Sequence, residues 1–373
     1  MRFWPFWTRT PGPGARADRW LRLTERRAAP HMGRTDKMEL SMSDWQYDVL
    51  GLGNAIVDVI ARAEDDFLRR ENLNKGGMML IDEARALSLY ETMGSGTVIS
   101  GGSAANTIVG LASFGAKAAF IGKVRADDTG HAFSHDIRAM GVHFPTAPAK
   151  DGPSTARCLV LVTPDGERTM NTYLGACQNL TSDDVDEATV QASAITYLEG
   201  YLWDPPAAKQ AFVKAATIAH AAGRKVALTL SDSFCVDRYR DEFLDLIRKK
   251  TVDIVFANQH ELRALYQTAD FATAINALRE EDLLGVVTCS EDGSMVVTRE
   301  ETHAVAAFPI EKLVDTTGAG DLFAAGFLAG LTRSADYVTC ARLGGLAAAE
   351  VIQHYGARPE CSLRDLAAQA GLG

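Results

Sequence analysis

The sequence predicts an α/β fold: a mostly parallel central sheet with helices on both faces and a small β-sheet beside it. Three observations carry this. Short apolar runs alternate with helical stretches along most of the chain, which is the pattern of strand–helix–strand units. Two segments, about 60–82 and 155–175, break the alternation with strand-like residues. The chain is also 47% hydrophobic and 23% charged, so it can bury a sizeable core and is not disordered throughout.

The elements follow in order. Residues 1–43 are set apart as a disordered N-terminal extension. They are rich in Arg, Pro and Gly, hold Trp4, Trp7 and Trp20, and show no lasting period. They lack the apolar core of a secretory signal, and Met38 or Met42 is an alternative start. The folded unit is expected over 44–373. "YDVLGLGNAIVDVIARA" reads as a strand, a Gly turn and a second strand, and "VIARAEDDFLRRENLNKGGMMLI" as irregular and strand-like. "KAAFIGKV", "AITYLEGY", "KVALTLS", "DIVFANQ" and "GVVTCS" are buried-strand runs. "PPAAKQAFVKAATIAHAAG" starts with Pro and stops at Gly223, as a helix should. "DRYRDEFLDLIRKK" and "QHELRALYQTADFATAINALREE" are also helical. "TARCLVLVTPDGERTMNTYLG" is a hairpin about Pro164-Asp165-Gly166. The two inserted segments are expected to pair into a small sheet that serves as a lid.

Charge and cysteine usage exclude several functions. The net charge is −10, whereas non-specific nucleic-acid binding wants a basic footprint. No run of 18 apolar residues exists, so no membrane span is expected. The six cysteines form no C-x-x-C pair. They read as single buried thiols of a cytoplasmic protein rather than zinc ligands or disulfides.

In an open parallel sheet, ligands bind beyond the carboxyl ends of the strands. Polar residues gather there: Asn54 and Asp58, Ser231 and Asp232, Asn258 and Glu261, Thr288 and Ser290, and Asp315 to Asp321. The last group belongs to "DTTGAGDLFAAGFLAGL", residues 315–331. Gly318, Ala319 and Gly320 turn tightly into a helix whose N-terminal amides and dipole suit an anion. Asp321 lies in its first turn, and the ten residues after it carry no charge, as in a buried helix. A carboxylate beside a phosphate site suits phosphoryl transfer: it takes the proton of an attacking hydroxyl while the amides hold the developing charge. In "SGGSAANTIVGLASFGAKAAFIGKV", Gly101, Gly102 and Asn106 suit contacts to a hydroxylated substrate. Asp127, in "RADDTG", reads as structural. No G-x-x-x-x-G-K-[ST] occurs, and "GLGNAI" puts Ile56 where a dinucleotide fingerprint wants Gly, so a dehydrogenase is a weak alternative.

Together these residues resemble the PfkB/ribokinase family of sugar and nucleoside kinases over roughly Tyr47 to Pro359. The motifs are G-G-x-x-x-N at Gly101–Asn106, N-x-x-E at Asn258–Glu261 and D-T-x-G-A-G-D at Asp315–Asp321. The resemblance implies a ribokinase-like αβα sandwich with a β-sheet lid. It implies Asp321 as catalytic base, the amides of Gly318, Ala319 and Gly320 as anion hole, and Arg168 as a lid arginine that approaches the transferred phosphate. Asp58 would hold sugar hydroxyls, helped by Asn54, Gly101, Gly102 and Asn106. ATP would meet Asn258, Thr288, Ser290, Gly293 and Thr317, with Glu261 serving Mg²⁺ through water and K⁺ as a further cation. Ser290 departs from the family, which often has Gly there. "GLGNAIVDV", "GGSAANT" and "AAAEVIQHYGARP" are most similar to the adenosine-kinase branch. The expected reaction is therefore ATP-dependent phosphorylation of a nucleoside 5′-hydroxyl, adenosine first, by a monomer or homodimer. The alternatives are a kinase of ribose, fructose or 2-keto-3-deoxygluconate, and a non-catalytic binder, for which Asp321 has no use.

Overall fold

The computed structural model describes residues 45–373. The expected N-terminal extension lies outside the described residues.

Among the described residues, eight strands form the larger sheet, in the order β13-β12-β11-β10-β9-β8-β1-β5. They are β1 (Tyr47–Leu52), β5 (Ala118–Ile121), β8 (Ser193–Glu199), β9 (Lys225–Thr229), β10 (Ile254–Asn258), β11 (Leu284–Thr288), β12 (Ser294–Val297) and β13 (Thr302–Val305). Every pairing from β11 across to β5 is parallel, and β12 and β13 close one edge antiparallel. The expected strands lie here. Their residues are buried almost without alternation, because helices cover both faces. The expected helices are Pro206–Ala221 and Ser233–Arg248, while the third stretch divides into Gln259–Leu265 and Phe271–Glu280. It divides because the Asp270 side chain accepts from Thr273 N at 2.9 Å, capping a new helix.

The smaller sheet has the order β3-β7-β6-β2-β4. Its strands are β2 (Ile56–Arg62), β3 (Met78–Leu80), β4 (Thr97–Gly101), β6 (Ala156–Val162) and β7 (Arg168–Tyr173). β6 and β7 form the hairpin read from the sequence. Two features differ from the expectation. β4 lies outside both inserted segments, yet it pairs antiparallel with β2. Part of the segment read as strand-like is a helix, Asp65–Arg70, with Asp65 and Asp66 in its first turn and Arg69 and Arg70 in its last, a charge order that complements the helix dipole.

The helix Ala319–Thr332 is buried from Leu322 to Thr332. It packs against the helices Tyr337–Val351 and Ser103–Ser113. Small residues let the three approach closely: a Cβ on Gly110 would lie 2.7 Å from Leu322 and 2.8 Å from Ala325. The absence of charge in this helix is therefore a packing requirement, since a buried unpaired charge is costly. Burial of Phe327 alone is worth about 1.5–3 kcal/mol.

Candidate active site

The parallel strands end on one edge of the larger sheet. Leu52 pairs with Leu198, Glu199 with Thr229, and Asn258 with Thr288. The residues after these strand ends therefore share one rim.

Asp321 stands in the first turn of its helix and is partly exposed. Its Oδ1 accepts from Ser103 Oγ at 2.6 Å and its Oδ2 from Asn106 Nδ2 at 3.0 Å. Burial raises its pKa, while these two donors and the Arg358 charge act to lower it. Gly318 caps the helix in a left-handed conformation, φ +77°, which favours glycine. The Ala319 N–H turns back to the Thr316 carbonyl at 3.2 Å, so the three amides expected as one anion hole are not equivalent. In front of Gly320, an added Cβ would meet nothing within 4 Å. That open volume lies beside Asp321 at a helix N-terminus whose first amides have no intrahelical partner.

Asp58, Asn54, Gly101 and Gly102 meet where β2 and β4 pair. A side chain on Gly101 would strike the Asp58 carboxylate, and one on Gly102 (φ +99°) the Asn54 carbonyl. The glycine pair thus has a reason within the protein: it lets β4 pass under the turn between β1 and β2. Burial pushes Asp58 up to about 6, opposed by Arg358 and Arg168 and assisted by Asp321. Asn106, expected to meet substrate, donates to Asp321, and its Oδ1 is buried without a partner.

Asn54 Nδ2 donates to Glu199 Oε1 at 2.7 Å, and Ala104 N donates to Oε2 at 2.9 Å. Glu199 ends β8 and is fully buried. Burial pushes it up to about 7 against donors that favour its charged form. Sequence reasoning passed over Glu199, although a lone carboxylate closing the apolar run "AITYLEGY" is a signal. It also passed over Ser103, which nothing in its spacing distinguishes from a small packing residue.

Arg168 begins β7 and reaches across to the core motif. Its Nη1 donates to the buried Asp315 carboxylate and to Thr317 Oγ1, the latter at 2.9 Å. Thr317 N and Oγ1 donate to Asp315 Oδ1 at 3.0 and 2.7 Å. Arg168 Nε is buried without a partner.

Asn258 and Glu261 form a capping box. Asn258 Oδ1 accepts from Glu261 N at 2.9 Å, Glu261 Oε2 accepts from Asn258 N at 2.9 Å, and Asn258 Nδ2 donates to Glu261 Oε1. This satisfies the helix start reciprocally. Burial pushes Glu261 up to about 7. Both its oxygens already accept from Asn258. Among the described residues no group of three or more His, Cys, Asp or Glu stands ready for a metal. Such a donor set fits Mg²⁺ only as an ion carried mainly by phosphate oxygens and water, which is how Mg²⁺ is commonly held. Asp127 is structural as expected, accepting from Gly130 N at 2.7 Å and Thr155 N at 2.9 Å. Ser290 adopts φ +51° and Gly293 φ +99°, so the position where the family often has Gly is left-handed in this chain.

Comparison with known proteins places the chain. The profile described as "pfkB family carbohydrate kinase" matches residues 79–363. Adenosine kinase from Sinorhizobium meliloti is 55% identical, covers 87% of this chain and 99% of its own, and superposes with a TM-score of 0.82. A probable sugar kinase protein from Rhizobium etli CFN 42 is 52% identical, covers 88% and 100%, and has a TM-score of 0.83. Adenosine kinase 2 of Arabidopsis thaliana is 28% identical over 345 residues, 85% of this chain and 96% of its own. The fold is the ribokinase-like α/β fold of these structures. The chain belongs to the pfkB carbohydrate kinase family and is a phosphotransferase that takes an alcohol group as acceptor, with ATP as donor and typically Mg²⁺.

Proposed function

We propose that this kinase phosphorylates the 5′-hydroxyl of a nucleoside, adenosine in the first place, yielding AMP and ADP. The observation that carries the reading is the placement of Asp321 between two donors, beside the open volume at Gly320. The adenosine kinases among its relatives supply the substrate.

Asp321, ionised, accepts the proton of the 5′-hydroxyl as that oxygen attacks the γ-phosphorus. The bond from phosphorus to the ADP oxygen breaks, and the proton leaves Asp321 to solvent. Amides at the Gly318–Gly320 turn meet the charge on the transferred group. Arg168, with one N–H still unpartnered, approaches the same group from the smaller sheet, which acts as a lid. Asp58, helped by Asn54, Gly101, Gly102 and Asn106, accepts from the ribose hydroxyls. Thr288, Ser290, Gly293, Thr317 and Asn258 line the nucleotide side. Mg²⁺ would arrive with ATP and would neutralise charge on the phosphates, and Glu261 would help to hold it. K⁺ belongs to the same reading, as does a cytoplasmic location, which the free cysteines support. A monomer or homodimer suffices.

The second reading is a sugar kinase for ribose, fructose or 2-keto-3-deoxygluconate, favoured by the Rhizobium etli relative's description. A panel of adenosine, other nucleosides and these sugars with Mg-ATP, scoring ADP release with KCl or NaCl, decides. Adenosine should lead in kcat/KM. A sugar that leads by tenfold replaces the nucleoside reading.

A further inference from the structure

The segment Tyr355-Gly356-Ala357-Arg358 follows the helix Tyr337–Val351 and belongs to neither glycine-rich motif. It touches both. Gly356 N donates to Asp315 Oδ2 at 3.0 Å. A Cβ on Gly318 would lie 2.6 Å from Ala357 Cβ, so Ala357 sits directly against the turn that starts the Asp321 helix. Arg358 directs its guanidinium to the other motif. Nε and Nη2 donate to the Ser100 carbonyl at 3.1 and 2.8 Å, Nη2 also donates to Ser100 Oγ at 3.0 Å, and Nη1 donates to the Ala105 carbonyl at 3.2 Å.

Ser100 belongs to β4 of the smaller sheet, and Ala105 to the first turn of the helix Ser103–Ser113. The planar fork therefore spans Gly101-Gly102, the point where the chain leaves one sheet for the core. Asp136, on the helix Asp128–Ala139, accepts from Ser100 N at 3.0 Å and from Ser100 Oγ, which fixes the other side. Ser103 and Asn106, the two donors to Asp321, lie on the turn that Arg358 secures.

Three carboxylates act on the guanidinium by charge: Asp58 on β2, Asp136, and Asp321. Burial lowers Arg358 to about 10, so it stays charged at neutral pH. Among the described residues, the Arg358 charge acts on Asp321, and the Arg358 and Arg168 charges act on Asp58. Asp321 acts in turn on Glu199, Tyr197 and Tyr201.

We propose that Arg358 is a positioning residue for phosphoryl transfer: its fork locks the Ser100–Asn106 segment so that Ser103 and Asn106 present to Asp321. The Arg358 charge acts on the same carboxylate. This rests on the reading of Asp321 as the base. A guanidinium is required because only a planar fork spans two carbonyls, and small misplacements at a reacting centre are costly in rate.

The test compares wild type, Arg358→Gln and Arg358→Lys for kcat, KM and the pH dependence of kcat, with circular dichroism as a check of folding. Each enzyme is assayed with whichever acceptor wild type uses best, so failure of adenosine overturns the proposed function and leaves this comparison intact. Arg358→Gln should lower kcat by about tenfold or more and move the acid limb of the profile to higher pH. Arg358→Lys should keep the acid limb in place but still lose kcat, because one ammonium cannot replace the fork. The proposal is overturned if Arg358→Gln matches wild type, or if it loses kcat with an unmoved acid limb, as a merely structural role would give. It is equally overturned if Arg358→Lys restores kcat in full. If the glutamine variant does not fold, the kcat of the lysine variant decides alone.

Discussion

Ser103 and Asp321, 218 positions apart in the chain, meet through a hydrogen bond of 2.6 Å. The bond joins the two glycine-rich motifs and holds one oxygen of the proposed base. Asp321→Asn should lower kcat by roughly 10²–10⁴ with little change in nucleoside affinity. Ser103→Ala should cost less, about tenfold or below, since Asn106 still holds the other oxygen. Steady-state kinetics and equilibrium binding check both, and an Asn variant with over half the wild-type kcat removes Asp321 from the mechanism.

Gly318 and Gly320 are two residues apart and should respond oppositely to alanine. Gly318 is left-handed and packed against Ala357, so Gly318→Ala should destabilise the fold by at least about 1–2 kcal/mol. Gly320 has a helical backbone and free space before it. Gly320→Ala should keep or slightly raise stability while cutting kcat, because the methyl takes the room assigned to the transferred phosphate. Urea melts and kinetics on both variants separate the effects. Full activity in Gly320→Ala would assign that space to solvent.

Ser290 holds φ +51° where the family often has glycine. Ser290→Gly should raise stability by about 1 kcal/mol by relieving a left-handed backbone, in part offset by the freer unfolded chain. Thermal melts with and without ATP show whether the hydroxyl serves the nucleotide. A gain in melting temperature with weaker ATP binding supports both statements, and a fall in melting temperature contradicts the strain argument.

Protonation should be visible in stability. Asp58 rises from 3.8 to about 6, and Glu199 and Glu261 rise from 4.5 to about 7. Between the unfolded and folded values, the folded chain holds protons that the unfolded chain has released. Stability from these groups is fully present below about pH 4 and is lost as pH rises through about 6 to 7. The melting temperature of the unliganded protein should therefore decline from pH 5.5 to pH 8, and Asp58→Asn should flatten part of the slope. A steady rise over that interval refutes the assignment.

Asp58 should distinguish ribose from deoxyribose. A carboxylate in this cleft that accepts from two neighbouring hydroxyls is left short by 2′-deoxyadenosine, at a cost of roughly 1–3 kcal/mol. Adenosine should lead by at least about tenfold in kcat/KM, and Asp58→Ala should narrow that preference. Equal rates for the two nucleosides would place Asp58 away from the sugar.

Much of this was legible from local chemistry. The strands after Ser193 announced themselves as unbroken apolar runs, and Asp321 by its place after a Gly-Ala-Gly turn. What stayed hidden depends on distant partners. β4 reads as an ordinary short segment until β2 pairs with it. The N-x-x-E pair was legible as a candidate ligand set, but its capping box was not, because a capping box and a metal site ask for the same side chains. The third stretch read as one helix because its apolar period runs through Asp270, whose capping bond is a geometric fact. Glu199 and Arg358 are single polar residues whose partners lie about 145 and 258 positions away, a relation no window of sequence contains.

β1 and β2 follow one another in the chain but belong to different sheets, with only Gly53, Asn54 and Ala55 between them. Gly102 alone separates β4 of the smaller sheet from the Ser103 helix. These two links lie against each other, Gly102 on the Asn54 carbonyl, and together they resemble a door hinge with two knuckles. If the smaller sheet swings as the proposed lid, these two short links are where it is tied most tightly to the core. The fulcrum would then lie among the residues proposed to grip the sugar, so the angle of the door and the strength of the grip could not be tuned separately.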